Sequence, residues 1–133
     1  MNYLYTAVPT PMEDQSGYYA RVPDLPGCAT TGKDLSDAIE QITDAMSVYL
    51  CAAEDEQLPI ASPSDPHTIP HEEADICTLI QADTIRYRAL TDTRAVRKNV
   101  SIPAWMATLA DRQGINCSQI LQEALRQRFG VTV

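Results

Sequence analysis

The stretch RKNVSIPAWM, residues 97–106, restricts the fold more than any other part of the chain. Arg97, Asn99 and Ser101 occupy alternate positions, and Val100 and Ile102 alternate with them, which is the period of a β-strand with one polar and one apolar face. We predict a strand from Val96 to Ile102. Pro103 ends it, because a proline without an N–H suits the first turn of a helix.

Two amphipathic helices are predicted after this strand. The first ends at Gly114, since glycine readily adopts the left-handed conformation that closes a helix. The second begins after Asn116, which is a good N-cap, and ends at Gly130. The first helix carries apolar residues at helical spacing: Trp105, Met106, Leu109 and Ala110. The apolar stripe of the second is expected to be buried: Ile120, Leu121, Ala124, Leu125 and Phe129.

A unit of about 40 residues with one strand and two helices cannot bury enough apolar surface to offset its ordering entropy. Its single strand would also leave both edges unpaired. We therefore predict that two chains pair their strands antiparallel, with Val100 and Ile102 facing a shared core. The resulting two-stranded ribbon fits the major groove of DNA, where arginine bonds guanine and asparagine bonds adenine.

The predicted DNA contacts come from the strand and from the start of the second helix. A helix N-terminus offers free amides and a favourable dipole to a phosphate. Phosphate contacts position the protein, whereas base contacts specify the sequence. The residues are Arg97, Lys98, Asn99 and Ser101 from the strand, and Asn116, Cys117 and Ser118 from the helix start.

The segment VRKNVSIPAWMATLADRQGINCSQILQEALRQRF resembles the ribbon-helix-helix family of repressors. The shared features are a hydrophobic-x-hydrophobic-Pro strand end and a G-x-N-x-S loop before the second helix. The resemblance implies a homodimer that binds operator DNA and reads bases with Arg97, Asn99 and Ser101. Lys98 takes an inward position that is usually apolar in that family, and Cys117 stands where a basic residue is common.

Charge is distributed unevenly along the chain, whose formal net charge is -8. Residues 1–93 contain four Lys/Arg and 16 Asp/Glu, a balance of -12, whereas residues 94–133 contain six and two, a balance of +4. This asymmetry favours a basic partner for the first part and a polyanion for the second, although small domains also vary in charge by chance.

The first part is predicted to form a small sheet covered by one helix. NYLYTAVP and YYARVP are typical of strands, an extended piece follows up to Gly32, and ICTLIQA at 76–82 adds a further strand. Asp34 is placed to cap a helix from Leu35 to Ala53, and Asp37 can reach back toward its start. Residues 54–75 hold four of the nine prolines and are predicted to be a loop. A short helical turn is expected at DTIRYRAL.

The segment YYARVPDLPGCATTGKDLSDAIEQITDAMSVYL is similar to the HicB antitoxin signature, in which VPDLPGC, a later glycine and an alanine-marked helix follow two strands. The resemblance implies a partial ribonuclease-H-like fold that binds a small basic RNA-cleaving HicA toxin and masks its active site. Some members carry a C-terminal ribbon-helix-helix domain and repress their own operon. Candidate toxin contacts are Asp24, Leu25, Pro26, Gly27 and Cys28 in the turn, and Asp37, Glu40 and Asp44 on the helix; a merely solvated face is the alternative.

The expected architecture is α+β. A β-β-β-α-β partial ribonuclease-H-like domain occupies residues 1–90, a linker 91–95, and a ribbon-helix-helix (β-α-α) dimerisation module 96–133. We expect a homodimer, and a tetramer if the first domains also pair. The apolar runs are shorter than the roughly 18 residues of a membrane span and the start lacks a signal-peptide pattern, so a cytoplasmic protein is expected.

Enzymatic activity is not expected. A nuclease of the ribonuclease H type needs several carboxylates around Mg²⁺, yet the predicted strands 2–8 and 76–82 contain no Asp or Glu. His67 and His71 fall in the proline-rich loop, and the four cysteines lack zinc-site spacing, so reduced, mostly buried thiols and no metal or cofactor are favoured. The expected function is an antitoxin and operon repressor. The alternative is a ribbon-helix-helix regulator whose first domain senses a small ligand.

Overall fold

The computed structural model describes residues 1–131 and divides into two compact units, Met1–Tyr87 and a second that begins at Arg88. The architecture is mixed α+β, as expected. The elements are β1 Asn2–Pro11, β2 Tyr18–Arg21, β3 Ala29–Gly32, α1 Leu35–Asp55, a 3₁₀ turn Pro66–Thr68, β4 Thr78–Asp83, α2 Thr84–Thr91, α3 Ala104–Gln113 and α4 Cys117–Phe129. The domain limits and the ribonuclease-H-like topology stay predictions.

The four strands form one antiparallel sheet in the order β3-β2-β1-β4. Helix α1 packs on one side of this sheet, which we call the inner face. Side chains alternate along a strand, so Tyr5 and Ala7 lie in the core against α1 while their neighbours point away. The outer face consists of Leu4, Thr6, Val8 and Thr10 of β1, Tyr19 and Arg21 of β2, and Leu79 and Gln81 of β4.

Helix α1 begins where its sequence places the cap. The Asp34 carboxylate accepts the Asp37 N–H at 2.8 Å, and the Asp37 carboxylate accepts the Lys33 N–H at 2.9 Å. Two backbone donors at the helix start are thereby satisfied. The buried stripe includes Ala38, Ile42, Met46 and Leu50, which confirms the predicted core face. The helix runs two residues further than predicted.

The motif VPDLPGC forms two consecutive turns. The Leu25 N–H donates to the Val22 carbonyl and the Cys28 N–H to the Leu25 carbonyl, both at 3.0 Å. Each turn has a proline at its second position, where the fixed φ of proline fits. Gly27, with φ of 86°, takes the position of the second turn that requires a positive φ. The turns carry Val22, Leu25 and Cys28 into the core.

Residues 56–77 connect α1 to β4 and confirm the predicted loop, apart from the short 3₁₀ turn. The Thr10 hydroxyl donates to Asp75 at 2.6 Å, and the Arg21 guanidinium donates to the Pro70 carbonyl at 3.3 Å. Because Thr10 and Arg21 belong to the outer face, the loop is tied to that face. The strand predicted at 76–82 is formed by Thr78–Asp83, and the Asp83 carboxylate caps the helix that follows.

The predicted strand Val96–Ile102 is not formed in the single chain. Residues 92–103 have no helix or strand assignment, and every one of them is exposed. A strand requires backbone hydrogen bonds to a neighbouring strand, and the described part of the second unit supplies no such neighbour. The predicted strand is one that pairs between two chains, so it stays a prediction.

Helices α3 and α4 lie where the sequence predicted them. Gly114 and Gly130, with φ of 65° and 71°, end them in the left-handed conformation. At the start of α4, the side-chain oxygen of Asn116 accepts the Gln119 N–H at 3.1 Å. The burial predicted for the apolar stripe of α4 belongs to the shared core of a dimer and stays a prediction. Ala110 is the buried residue of α3, and α4 has none among its described residues. No helix in residues 1–131 is long and apolar enough to span a membrane.

Candidate functional site

The second unit contains an apolar groove of about 430 Å³. Lys98, Val100 and Ile102 contribute to its lining from the segment before α3, so alternate residues of that segment face the helices. From the two helices the lining includes Met106, Ala110, Ile115, Ile120, Leu121 and Ala124. The alternation that the sequence predicted for a strand is therefore present, although the strand is not.

The residues between these positions form a polar row. Arg97, Asn99 and Ser101 are all exposed. Lys98 lies on the groove side, as its inward position in the pattern predicted. The row offers a guanidinium, a carboxamide and a hydroxyl side by side, which are the groups that bond base edges and phosphates.

The N-terminus of α4 is the second predicted DNA contact. The side chain of Asn116 serves as the cap, and Cys117 and Ser118 follow it on the exposed first turn. Arg94, which precedes the polar row in the sequence, is already engaged: it donates to both carboxylate oxygens of Asp92, at 2.8 and 2.9 Å. This contact lowers the pKa of Asp92 to about 2 and raises that of Arg94.

The structure divides the predicted toxin-binding turn into buried and exposed parts. The side chains of Leu25 and Cys28 are buried in the core and are therefore not available to a partner, because the two turns direct them inward. Pro26 and Gly27 are exposed at the tip. The Asp24 carboxylate accepts both the backbone N–H and the hydroxyl of Ser64, at 2.8 and 2.6 Å, so it fastens the loop to the turn.

The acidic side of α1 is also divided. Glu40 is exposed. Asp37 is used in capping, and the Lys33 N–H that it accepts holds the pKa of its carboxyl below the usual range. Asp44 accepts the hydroxyl of Tyr87; burial first, and then the Asp44 charge and hydrogen bond, raise the pKa of that phenol. Glu40 is thus the member of the predicted set that is most open to a partner.

All four cysteines are free thiols. Cys28 and Cys51 are buried, whereas Cys77 and Cys117 are exposed, so the expectation of mostly buried thiols holds for two of them. Burial raises the pKa of Cys28. His67 and His71 are exposed in the loop, and His71 Nδ1 lies 3.0 Å from the Ile69 carbonyl oxygen. Within residues 1–131, no three Cys, His, Asp or Glu side chains gather in a way that would hold a metal ion.

Two features of the first unit were missed from the sequence. The Glu54 carboxylate accepts the hydroxyls of Tyr3 and Thr84, at 2.9 and 3.0 Å, and joins α1 to β1 and α2. The outer face of the sheet also retains exposed Leu4 and Leu79. The signal for it was present, because apolar residues occur at both alternate sets of positions in NYLYTAVP.

Comparisons with known structures agree with this fold. A chain of a toxin–antitoxin complex from Streptococcus pneumoniae matches with a TM-score of 0.60 and 19% identity, covering 96% of this chain and 99% of that one. The antitoxin HicB of Burkholderia pseudomallei matches with a TM-score of 0.54 and 21% identity, covering 92% and 96%. At these identities the likeness concerns the fold alone.

Sequence comparison reaches further. An uncharacterized 14.9 kDa protein from the rep-hol intergenic region of Haemophilus phage HP1 is 29% identical over 99 residues, which cover 72% of this chain and 71% of the phage protein. The sequence model of the HicB-like antitoxins matches residues 5–124, well beyond the segment on which the resemblance first rested. The chain therefore belongs to the HicB-like antitoxin family of bacterial toxin–antitoxin systems.

Proposed function

We propose that this chain neutralises a small, basic, RNA-cleaving HicA-like toxin with its first unit and, as a ribbon-helix-helix dimer, represses transcription of its own operon with its second. The observation that carries the proposal is the contrast between the two units. One is a strongly acidic, closed domain, and the other is a basic unit with an uncovered apolar groove and a polar row beside it.

The toxin-binding role is supported by family and charge. The family is that of antitoxins in bacterial toxin–antitoxin systems. Residues 1–87 hold three Lys/Arg against 15 Asp/Glu, a balance of -12. A surface of one sign attracts a partner of the other sign and speeds their encounter. The family assignment does not favour the alternative in which the first unit senses a small ligand.

Dimerisation of the second unit is supported by what one chain leaves exposed. Val100 is 58% exposed, Ile120 52% and Phe129 57%. Such contiguous apolar surface on a small unit marks a protein interface. A second copy would supply both the missing strand partner of residues 96–102 and the other half of the core, since in a two-fold interface each chain offers the same surface.

Operator binding is supported by the polar row. In an antiparallel pair, Arg97, Asn99 and Ser101 of both chains would share the face opposite the helices. The N-termini of the two α4 helices, at Cys117 and Ser118, would then flank this row as phosphate sites. From Arg88 onward the chain carries seven Lys/Arg and three Asp/Glu, a balance of +4, so two copies bring +8 to the DNA.

The direct test is co-expression of this chain with the protein encoded by the adjacent reading frame. We expect the neighbour to arrest growth when expressed alone, to be harmless with this chain, and to co-purify with it. The purified complex or antitoxin should also shift a DNA fragment from its own promoter but not a scrambled fragment. Failure to retain the neighbour contradicts the antitoxin role, and failure to shift the promoter contradicts the repressor role.

A further inference from the structure

We propose that the basic toxin docks on the outer face of the sheet, and not on the acidic side of α1 or on the VPDLPGC turn. This inference rests on the proposed function, because it assigns a place to the partner that function requires. It differs from the sequence prediction, in which Asp24 to Cys28 and the carboxylates of α1 were the candidates.

The outer face exposes large apolar side chains toward either end of β1, with the buried Val8 between them. Leu4 is 43% exposed, Leu79 52% and Tyr19 57%, although each belongs to a strand of the sheet. The strand register pairs Leu79 of β4 with Thr6 of β1, which lies two residues from Leu4 on that strand. It pairs Tyr19 of β2 with Thr10 of β1. We call Leu4 and Leu79 the apolar centre of the proposed surface, because exposed large apolar side chains on a sheet face are typical of an interaction surface.

Carboxylates lie near the exposed apolar side chains at both ends of this face. Glu13 and Asp14 line a shallow depression with Tyr19, Glu72 lines another with Arg21, and Asp83 ends β4 on the same side as Leu79. Arg21, the cation of this face, lies 3.8 Å from the Asp75 carboxylate and is thereby compensated. An apolar centre with a charged rim is the usual anatomy of a protein interface.

The negative charge of the rim determines which kind of partner fits this face. A second copy would bring an equally acidic rim against this one, and DNA would meet the same repulsion. A basic protein instead pairs its cations with the rim while its apolar residues cover the centre. On α1 the exposed large apolar side chains are Leu35 and Val48, at 36% and 50%, fewer than on the outer face.

The experiment compares matched charge insertions on the two faces. Leu79→Arg places a cation in the apolar centre, and Val48→Arg makes the same kind of change on α1 at a similar exposure, 50% against 52%. Glu40→Arg removes the open carboxylate of α1. Each variant is co-expressed with the product of the adjacent reading frame, and the affinity of the purified proteins is measured by titration calorimetry.

We expect Leu79→Arg to weaken toxin binding about 30-fold or more, as loss of an interface centre does, and the two α1 variants to stay within about threefold of the wild type. If Leu79→Arg unfolds the unit, as shown by its thermal transition, Leu4→Ala and Tyr19→Ala replace it, with the same expected direction. Normal binding by the outer-face variants, or loss of binding in Glu40→Arg, overturns the inference and leaves the antitoxin role standing.

Two further outcomes separate the remaining explanations. A change in molar mass of Leu79→Arg in light scattering would assign the outer face to a second copy and overturn the inference. If the wild-type chain itself retains no toxin, the proposed function fails together with the inference. Unchanged mass with lost toxin binding is the expected result.

Discussion

Gly32 lies where β3 meets α1, and a Cβ atom there would stand 2.3 Å from the backbone nitrogen of Ala38. Backbone cannot move aside as a flexible side chain does. We expect Gly32→Ala to lower the free energy of unfolding by about 1–3 kcal/mol, measured by urea denaturation. Thr31→Ala, an exposed neighbour, is the control. Equal urea midpoints for Gly32→Ala and Thr31→Ala would show that β3 and α1 move apart at little cost.

Arg97 and Asn99 belong to the exposed polar row of the second unit. If this row reads bases, Arg97→Ala and Asn99→Ala should each weaken binding to the promoter by about 1–3 kcal/mol while toxin binding stays unchanged. Gel shift at fixed salt measures the first effect and co-purification the second. Arg86→Ala, which removes an exposed cation from the first unit, is the control. Loss of toxin binding in the Arg97 variant would show that the segment is structural.

At the scale of elements, polar contacts join the helix and the sheet of the first unit. Glu54 of α1 accepts hydrogen bonds from Tyr3 of β1 and Thr84 of α2, and the Met1 carbonyl accepts the Thr84 N–H at 3.0 Å. The Tyr5 hydroxyl donates to the Ala61 carbonyl of the loop. These contacts fix the end of α1 against the start of β1.

This arrangement predicts a dependence of stability on alkaline pH. Burial, followed by the hydrogen bond to Glu54 and the charge of that residue, raises the pKa of Tyr3 to about 12. An unfolded tyrosine ionises near pH 10, so the unfolded state loses this proton before the folded state does. The free energy of unfolding therefore falls as pH rises from about 10 to about 12. We expect Tyr3→Phe to lose less stability than the wild type between these values in urea denaturation.

Glu54→Gln gives the matching test, because it keeps a hydrogen-bond acceptor and removes the charge. The pKa of Tyr3 in this variant should move from about 12 toward its ordinary value of 10.0, and the alkaline loss of stability should become smaller. An identical pH profile in the wild type, Tyr3→Phe and Glu54→Gln would contradict the assigned cause.

At the scale of the whole molecule, the two units differ in how complete they are. The first buries its core within one chain, whereas the second leaves its groove open. A chain that joins a closed unit to an incomplete one assembles through the incomplete part. The closed unit then remains free for another partner.

Assembly can be broken without disturbing the first unit. Ile102 is 48% exposed and lines the groove, so Ile102→Glu would place a charge in the shared core of a dimer. We expect this variant to have the mass of one chain in light scattering, to lose promoter binding and to keep toxin binding. Leu58→Glu, at 53% exposure in the loop after α1, is the control and should keep the wild-type mass. An unchanged mass for Ile102→Glu would contradict the ribbon.

Features that depend on neighbours along the chain were predictable. The cap at Asp34, the buried stripe of α1, the glycine helix ends at Gly114 and Gly130 and the antitoxin family all followed from local patterns. The strand at 96–102 and the burial of the α4 stripe stay predictions. Both depend on surface that a single chain does not supply, whatever its local pattern favours.

Local patterns along the chain were enough to predict where helices begin and end, which face of α1 is apolar, how the charge is split and to which family the chain belongs. Which of these residues are accessible became known from the folded arrangement alone. It placed Leu25 and Cys28 in the core, engaged Asp24 and Asp44 with distant partners, and left Leu4 and Leu79 open on the outer face. Helix caps and periodicity arise from contacts a few residues apart, whereas accessibility depends on contacts between segments far apart in the chain.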